Sequence, residues 1–541
     1  GRNTMQLKKK TFTGTTSNEV TARETENRKI ARQAAAEGFV LLKNEDHILP
    51  IKNGAKLGLY GAGAVKTIKG GTGSGDVNER ECINICQGLK NAGYEITSDA
   101  WLEAYASLYE ETRLKWRDEI LGKLPVYNNN FFEAYSTTPF FMPCGNPVDV
   151  EKAALDGADT AIYVLSRIAG ENADRHDTEG DYYISAEEKA LIGQLSKAYD
   201  SLVLMINTGG LVDLAFAEEF DNIKAVLQFV QAGQEGGNAF ADVISGKVTP
   251  SGKLADTWAL DYKDYPSSDT FSFKNGDVNT EKYQEGIYVG YRYFDTFDVP
   301  VRYPFGYGLS YTDFSVNTKG VEAVNTESGK PEIAVTVEVT NTGDTYCGKE
   351  VVQIYVSCPQ GKLAKEYRRL AGFAKTEELK PQESCSMTIT FPVYQLASFD
   401  EEKAAWILEG GTYGIWVGSS IQDAEPAGSL CLNKDAVLVQ CEHICPLKEE
   451  LKELTPDHGR MMEKEAAWLE KTAGLPCVHM SAENIGKEIV VYSELPEHFT
   501  GRAGEIVESL SREQLVLMAR PGKRPGCCTR FSRDHCAGSC G

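Results

Sequence analysis

The stretch SLVLMINTGG, residues 201–210, decides the fold: five apolar residues run without a break into a polar loop containing two glycines. Similar short apolar runs and helical stretches alternate along this part of the chain: KLGLYG (56–61), TAIYVLSR (160–167) and AVLQFVQAG (225–233), with helices predicted near 79–93, 185–198 and 235–245. Continuous apolar strands spaced by helices are typical of a largely parallel sheet covered on both faces. The sequence therefore predicts an α/β-sandwich domain, to which we assign residues 24–314.

Each predicted strand is followed by a loop rich in glycine and polar residues, the first being GGTGSGDVN at 70–78. Ligands of open α/β sheets bind at the carboxyl ends of the strands, so we expect these loops to line one site. A flavodoxin-like nucleotide site is disfavoured. In the nearest dinucleotide fingerprint, GAGAVK, Lys66 replaces the third glycine, and no phosphate-binding G-x-x-x-x-G-K-[ST] motif occurs. We predict no cofactor.

From 315 to 440 the apolar period changes to two, as in Ile333, Val335, Val337 and Val339. Turn-rich spacers separate several such runs, which predicts an all-β sandwich of the fibronectin type III kind. We interpret residues 1–23 as an N-terminal extension, 441–519 as a linker and 520–541 as an aberrant tail rich in cysteine and arginine.

The composition excludes two classes of partner. A net charge of −22 leaves no basic surplus for nucleic acid or anionic lipid, and no apolar run reaches the roughly 18 residues of a membrane span. The N-terminus has no apolar export segment and the cysteines form no disulfide-like pattern, which favours reduced thiols and a cytoplasmic location. The tail spacing CC-x7-C-x3-C is not a standard zinc pattern, so we predict no metal site.

Several segments, in order, carry a resemblance to a known family: 31–51, 70–78, 166–192, 231–258, 285–314 and 349–384. Together they resemble glycoside hydrolase family 3, the β-glucosidase and β-xylosidase type, from about 24 to 430. The resemblance implies a retaining glycosidase acting on terminal β-D-glucosyl residues of oligosaccharides or glycosides, with xylose and arabinose left open as the sugar.

That family builds its active site from two domains, and a (β/α)8-like barrel supplies the nucleophilic aspartate within Ser-Asp-Trp. EIVESLSREQLVLMA (505–519) resembles the lead-in to this barrel in a permuted subgroup. No Ser-Asp-Trp or Lys-His-Phe occurs in the 541 residues, and 441–541 is shorter than the roughly 200 residues of a barrel. We therefore expect a chain that carries the acid/base half of the active site and ends by truncation or frameshift near the barrel.

The resemblance implies Glu188, in DYYISAEEKALI (181–192), as the catalytic acid/base, with Glu187 as the neighbour most easily confused with it. A retaining enzyme needs this carboxyl group about 5–5.5 Å from the nucleophile. An alternative interpretation is structural. Ser185 and Glu188 have the spacing of a capping box at the start of a helix, where the helix dipole lowers a carboxyl pKa instead of raising it.

The same resemblance suggests substrate-binding residues. Gly73 and its neighbouring glycines would let the backbone approach a pyranose ring, while Ser74 and Asp76 offer hydrogen-bond partners; a tight structural turn is the alternative. Arg167, Glu171 and Arg175, at the end of the strand at 160–167 and in the loop after it, would contact sugar hydroxyls or pair with each other.

Two further expectations concern the whole chain. As it stands, it could be a non-catalytic carbohydrate-binding or assembly module instead of an enzyme. Without a barrel, we expect an exposed apolar surface that promotes self-association.

Overall fold

The structure is a computed structural model that describes residues 17–75, 77–170, 174–277, 279–444, 447–489 and 500–519. The described residues between Thr25 and Val490 form one compact unit, and those at the two ends, 17–24 and 500–519, belong to another. None of the described helices combines the length and apolar character that a membrane-crossing helix needs.

The first part of the large unit is built on a six-stranded sheet, ordered β1-β6-β5-β4-β2-β3. Its strands are β1 (Val40–Asn44), β2 (Lys56–Tyr60), β3 (Glu95–Ile96), β4 (Thr160–Arg167), β5 (Ser201–Thr208) and β6 (Ile223–Gln228). Neighbouring strands are parallel except for the antiparallel edge pair of β1 and β6. Side chains of β4 alternate between two buried clusters, with Ile162 and Val164 in one and Tyr163 and Leu165 in the other. The predicted largely parallel sheet, buried on both faces, is confirmed.

Helices flank this sheet: α1 (Ala22–Gly38), α2 (Ile85–Asn91), α3 (Asp99–Lys123), α4 (Phe131–Ser136), α5 (Val150–Ala153), α6 (Ala186–Ala198) and α7 (Gly236–Ile244). Helices α2, α6 and α7 lie where the sequence predicts them. The longest, α3, is not among the predicted elements. Its buried residues are Leu102, Tyr105 and Ile120, too few to give the apolar stripe by which a helix is recognised. A two-stranded ribbon of β7 (Trp258–Ala259) and β8 (Val301–Tyr303), with α8 (Tyr291–Phe297) between them in sequence, completes this domain.

Two glycines allow α2 and α7 to touch. A Cβ atom on Gly237 would lie 2.0 Å from the Asn84 carbonyl oxygen, and one on Gly88 would lie 1.9 Å from the Gly237 carbonyl oxygen. No side chain fits at such distances, so the contact depends on glycine at both positions.

The second part of the large unit is the predicted all-β sandwich. Its strands are β9 (Phe314–Val324), β10 (Glu332–Asn341), β11 (Val351–Ser357), β12 (Arg369–Lys375), β13 (Ser384–Pro392), β14 (Ser398–Asp400), β15 (Ala405–Leu408), β16 (Gly411–Gly418), β17 (Glu425–Leu432) and β18 (Ala436–Gln440). In β10 the alternating residues Ile333, Val335, Val337 and Val339 are all buried in one core, so the period-two prediction is confirmed.

Residues beyond 440 add to this sandwich. They include helix α9 (His458–Thr472) and strands β19 (Cys477–Met480) and β20 (Glu488–Ile489). Strand β19 pairs in parallel with β17, and β20 with β18. The ring of Trp468, which is 1% exposed, packs over Gly414, where a Cβ would lie 2.7 Å from it. Part of the segment interpreted as a linker is therefore packed structure. In the small unit, the described residues include α10 (Gly501–Glu508) and α11 (Arg512–Ala519).

Ion pairs join the two parts of the large unit. The Glu37 carboxylate, at the end of α1, lies 2.9 Å from Lys349 Nζ and 3.3 Å from Lys375 Nζ. Lys253 Nζ lies 2.8 Å from the carboxylate of Glu350. The α/β domain and the sandwich are thus held together by partly buried charge pairs.

Candidate functional site

The glycine-rich loop after β2 meets the loop after β4 at the carboxyl edge of the sheet. The backbone N–H of Thr72 donates to the Ala169 carbonyl at 3.0 Å, and Thr72 forms an isolated parallel bridge with Gly170. A Cβ on Gly71 would lie 2.8 Å from the Ala169 oxygen, and one on Gly170 would lie 2.1 Å from Thr72 Oγ1. These two glycines are needed because one loop lies directly against the other.

Asn207, at the end of β5, connects the loop after β2 to the loop after β6. Its side-chain oxygen accepts from the Ile68 N–H at 2.7 Å and its amide donates to the carbonyls of Ile68 and Val230 at 2.9 and 2.8 Å. The Ser166 hydroxyl donates to the same oxygen at 3.2 Å. Asn207 is fully buried. Sequence reasoning missed it, although an asparagine at the end of an apolar strand is a signal for such a role.

Beside the two loops lies an open cleft of about 650 Å³. Its lining residues come from the two loops, from α3 and from the segment after it: residues 65–72, Glu79, Cys82, Asn84, Tyr109, Arg113, Trp116, Tyr135, Ser136, Thr138, Pro139, Phe140 and residues 168–170. The Phe140 ring centroid lies 5.2 Å from that of Trp116 and 5.5 Å from that of Tyr109, and the Trp116 indole N–H donates to the Thr138 carbonyl at 2.7 Å. The result is a fixed aromatic wall.

The lysines of the cleft are paired with glutamates. Lys66 Nζ lies 2.5 Å from a carboxylate oxygen of Glu110 and 4.7 Å from the centre of the Tyr109 ring. Lys69 Nζ is hydrogen-bonded to Glu79. Aromatic rings, with the lysines already paired, suit a neutral ligand that is rich in hydroxyl groups.

The predicted site residues are distributed unevenly around this cleft. Gly73, with φ of +85°, and the backbone of Ser74 belong to a short 3-10 turn directly after the cleft-lining Thr72. The side chain of Ser74 lies outside what the structure describes, as do Asp76 and Glu171 entirely. Their roles therefore stay predictions.

Glu188 and Arg167 form a buried pair. Arg167 Nη1 and Nη2 donate to Glu188 Oε1 and Oε2 at 2.7 and 2.8 Å, and only 8% of the arginine and 11% of the glutamate side chain is exposed. The remaining Arg167 donors reach the carbonyls of Ser166 at 2.9 Å, Asp181 at 2.7 Å and Tyr183 at 3.4 Å. All five N–H groups of Arg167 are thus used within the protein.

Glu188 also belongs to the capping box in the first turn of helix α6. Its Oε2 accepts from the Ser185 N–H at 2.8 Å and its own N–H donates to the Ser185 hydroxyl at 3.2 Å, so the capping box expected from the sequence is formed. Glu187 is exposed, and hydrogen bonds from its own backbone N–H and from the Ser185 side chain lower its pKa. A lowered pKa opposes a role as general acid.

The segment between β4 and α6 carries a second charge pair. Arg175 Nε donates to Asp181, whose other carboxylate oxygen accepts from the His176 N–H at 2.6 Å. Among the described residues, the buried Nη1 and Nη2 of Arg175 have no hydrogen-bond acceptor. Buried guanidinium nitrogens seldom stay unsatisfied, so this group is suited to bind an oxygen from outside the described residues.

Comparison with known proteins gives consistent matches. Residues 39–291 match the glycosyl hydrolase family 3 C-terminal domain and residues 350–421 match the fibronectin type III-like domain. The chain is 38% identical to beta-glucosidase A of Butyrivibrio fibrisolvens over 432 residues, which is 72% of this chain and 49% of that protein. It is 34% identical to a beta-glucosidase of Ruminococcus albus over 496 residues, 90% of this chain and 48% of that protein.

A solved beta-glucosidase from Paenibacillus barengoltzii superposes with a TM-score of 0.67 at 36% identity, covering 77% of this chain and 44% of that one. The chain therefore spans about half the length of the relatives it matches.

Proposed function

The chain belongs to glycoside hydrolase family 3, of which it carries the C-terminal domain and a fibronectin type III-like domain, and we propose that it supplies the acid/base half of a retaining β-glucosidase active site. The observation that carries the proposal is the aromatic cleft beside Thr72 and Gly170, within the matched domain. Its substrate would be a terminal β-D-glucosyl residue of an oligosaccharide or glycoside. A nucleophile from outside these 541 residues would complete the reaction, since Ser-Asp-Trp is absent from them.

Two carboxylates are candidates for the acid/base. Glu188 is the one predicted from the family pattern, but both of its oxygens already accept hydrogen bonds from Arg167 or Ser185. To protonate a leaving group it would have to give up part of this network. Glu171 directly follows the cleft-lining Gly170 in the sequence, and this position supports it as the second candidate.

The two candidates are separated by substrates with different leaving groups. The chain would be combined with a separately produced family 3 barrel, and kcat/KM measured on cellobiose and on 2,4-dinitrophenyl β-D-glucoside. Loss of a general acid should slow the first substrate far more than the second, because dinitrophenolate leaves without protonation. We compare Glu171→Gln with Glu188→Gln; a variant that slows both substrates equally and lowers Tm has a structural role.

The chain alone is tested with p-nitrophenyl β-D-glucoside. We expect no turnover by the wild type or by Glu188→Gln. Turnover that disappears in the variant would mean that the chain contains its own nucleophile, and the proposal of half an active site would be wrong.

The absence of Ser-Asp-Trp also supports a second function, a non-catalytic carbohydrate-binding or assembly module. Binding of methyl β-D-glucoside without turnover, unchanged when a family barrel is added, would favour this function over the enzyme.

We also propose self-association of the chain through exposed apolar surface. In the α3–α4 region, Phe132 is 71% and Val126 is 75% exposed. Sedimentation velocity should show association that increases with concentration and weakens in Phe132→Ser. The matched control Phe399→Ser, on the sandwich, should behave as wild type. A monodisperse monomer at all concentrations would contradict the proposal.

A further inference from the structure

Three side chains of types that can bind a metal meet on the β-sandwich, far from the cleft in sequence. Cys431 lies on β17, and Cys477 and His479 lie on the edge strand β19. Cys431 is directly opposite His479 in the parallel register, and Cys477 and His479, two residues apart, share a face of β19. The fold thus collects residues that are 46 positions apart in the chain.

These side chains point away from the core. Their neighbours Leu430, Leu432 and Met480 are buried in the core of the sandwich, and strand alternation turns the three ligands to the opposite face. Cys431 is half-buried, whereas Cys477 and His479 are exposed. An ion from solvent can therefore reach them without any opening of the fold.

The distances fit a single ion. The two sulfur atoms are 3.0 Å apart, and one ligand atom from each of the three residues lies within 4.8 Å of the others. Within the part of the chain that the structure describes, this is the one group of three or more such ligands found so close. Zn–S bonds of about 2.3 Å at tetrahedral angles place two sulfurs about 3.8 Å apart, so the thiols need to separate by less than about 1 Å.

We propose that Cys431, Cys477 and His479 form a zinc site with a fourth coordination position open to water or another small ligand. Two thiolates and an imidazole are soft to borderline ligands that suit Zn²⁺ and not Mg²⁺ or Ca²⁺. The Thr412 hydroxyl, 3.6 Å from Cys431 Sγ, is placed to hydrogen-bond to a bound sulfur. Zinc bound here would fasten β19 to β17 and stabilise the sandwich against unfolding.

The tail is a second possible metal binder and has to be removed from the measurement. It holds cysteines and a histidine beyond the described residues. The full chain is therefore compared with a background variant in which the tail cysteines are replaced: Cys527→Ser, Cys528→Ser, Cys536→Ser and Cys540→Ser.

Cobalt titration in a phosphine reductant gives the direct readout. In the background variant we expect one Co²⁺ per chain, with the absorption bands of tetrahedral thiolate coordination, displaced by Zn²⁺. His479→Gln and Cys431→Ser should each weaken Co²⁺ binding by more than about tenfold. Losing only a group that hydrogen-bonds to a metal ligand already costs about that much affinity. His458→Gln and Cys385→Ser, outside the cluster, are the matched controls and should bind as the background does.

A disulfide between Cys431 and Cys477 is the competing outcome. Removing two electrons from the thiols would need an oxidant such as dioxygen, and His479 would have no part in it. A disulfide found by mass spectrometry of the aerobically purified background variant, together with no Co²⁺ binding after reduction, would overturn the zinc site. So would Co²⁺ binding that His479→Gln leaves unchanged in a variant with native circular dichroism.

Discussion

Two regions at the end of strand β4 differ in how their polar groups are used. Its last residue, Arg167, is buried against Glu188, and every N–H of its guanidinium has an acceptor within the protein. Shortly after it, Gly170 forms part of the wall of an open cleft of about 650 Å³. We call the first region closed, because its polar groups bond within the protein, and the second open, because solvent reaches it.

The difference separates stability from binding. The groups of the Arg167–Glu188 network already bond within the protein, so using them for a ligand means giving up part of that network, and removing one partner leaves a buried charge unpaired. An open cleft lined by aromatic rings costs little to change but is available to a sugar. We therefore expect substitutions in the buried pair to change the free energy of unfolding, and substitutions in the cleft to change ligand affinity.

The largest effect should come from Glu188→Ala. It leaves the Arg167 guanidinium buried without its carboxylate, and such a loss costs about 3–5 kcal/mol of unfolding free energy. Urea denaturation followed by circular dichroism measures it. Glu187→Ala, at the exposed neighbouring position, is the control and should change the free energy of unfolding far less. A loss below about 1 kcal/mol, the range of exposed pairs, would show that the pair is not closed.

Asn207→Ala should lower both the free energy of unfolding and the affinity for sugar. The substitution leaves buried groups of Ile68 and Val230 without partners, at a cost of about 2 kcal/mol. Because Ile68 lines the cleft, affinity for methyl β-D-glucoside should fall as well. Asn222→Ala, which breaks hydrogen bonds to Ser196 and Tyr199, should lower stability but leave sugar affinity unchanged. Equal affinity in both variants would mean that the Asn207 loops do not form the sugar site.

Trp116→Ala should act mainly on affinity. Loss of one aromatic face of the cleft removes about 1.4 kcal/mol of sugar binding, or about tenfold in Kd. Titration by nuclear magnetic resonance with methyl β-D-glucoside measures this change. Trp406→Ala, an exposed tryptophan on the sandwich, is the matched control. Unchanged affinity in Trp116→Ala would remove the cleft from the proposed function.

The sequence was sufficient for the elements whose pattern is local. The apolar runs of β4 and β5 and the alternation of β10 predict their strands because each pattern repeats within one element. The capping box of Ser185 and Glu188 was predicted for the same reason. Helix α3 was not, because few of its side chains are buried, and yet it supplies Trp116 to the cleft.

The arrangement of the site depends on contacts between distant segments, which no local pattern contains. An asparagine at the end of an apolar strand indicates a polar role for Asn207, but no local pattern identifies Ile68 and Val230 as its partners. Likewise, Cys431 and His479 come together only through the pairing of β17 with β19. Glu188 shows both cases at once. Its local motif predicts the helix cap, but only the fold shows that Arg167 donates to both of its carboxylate oxygens.

The smallest effect is expected for the partly exposed charge pair of Glu37 with Lys349 and Lys375. Burial raises the pKa of Glu37, but hydrogen bonds from Lys349 and Gln33 and the charge of Lys375 outweigh it and hold the pKa at about 2. A carboxylate whose pKa is lower in the folded state stabilises the fold fully above its unfolded value. That contribution is lost as the pH falls from about 4.5 to about 2.

Because solvent reaches and screens the Glu37 pair, its contribution should be at most about 1 kcal/mol, far below that of the pair of Arg167 and Glu188. Glu37→Gln should reduce the slope of unfolding free energy against pH between pH 4.5 and the acid transition, and added salt should reduce the wild-type slope in the same direction. A slope that neither salt nor Glu37→Gln changes would mean that the Glu37 charge pair contributes nothing to the joining of the two domains.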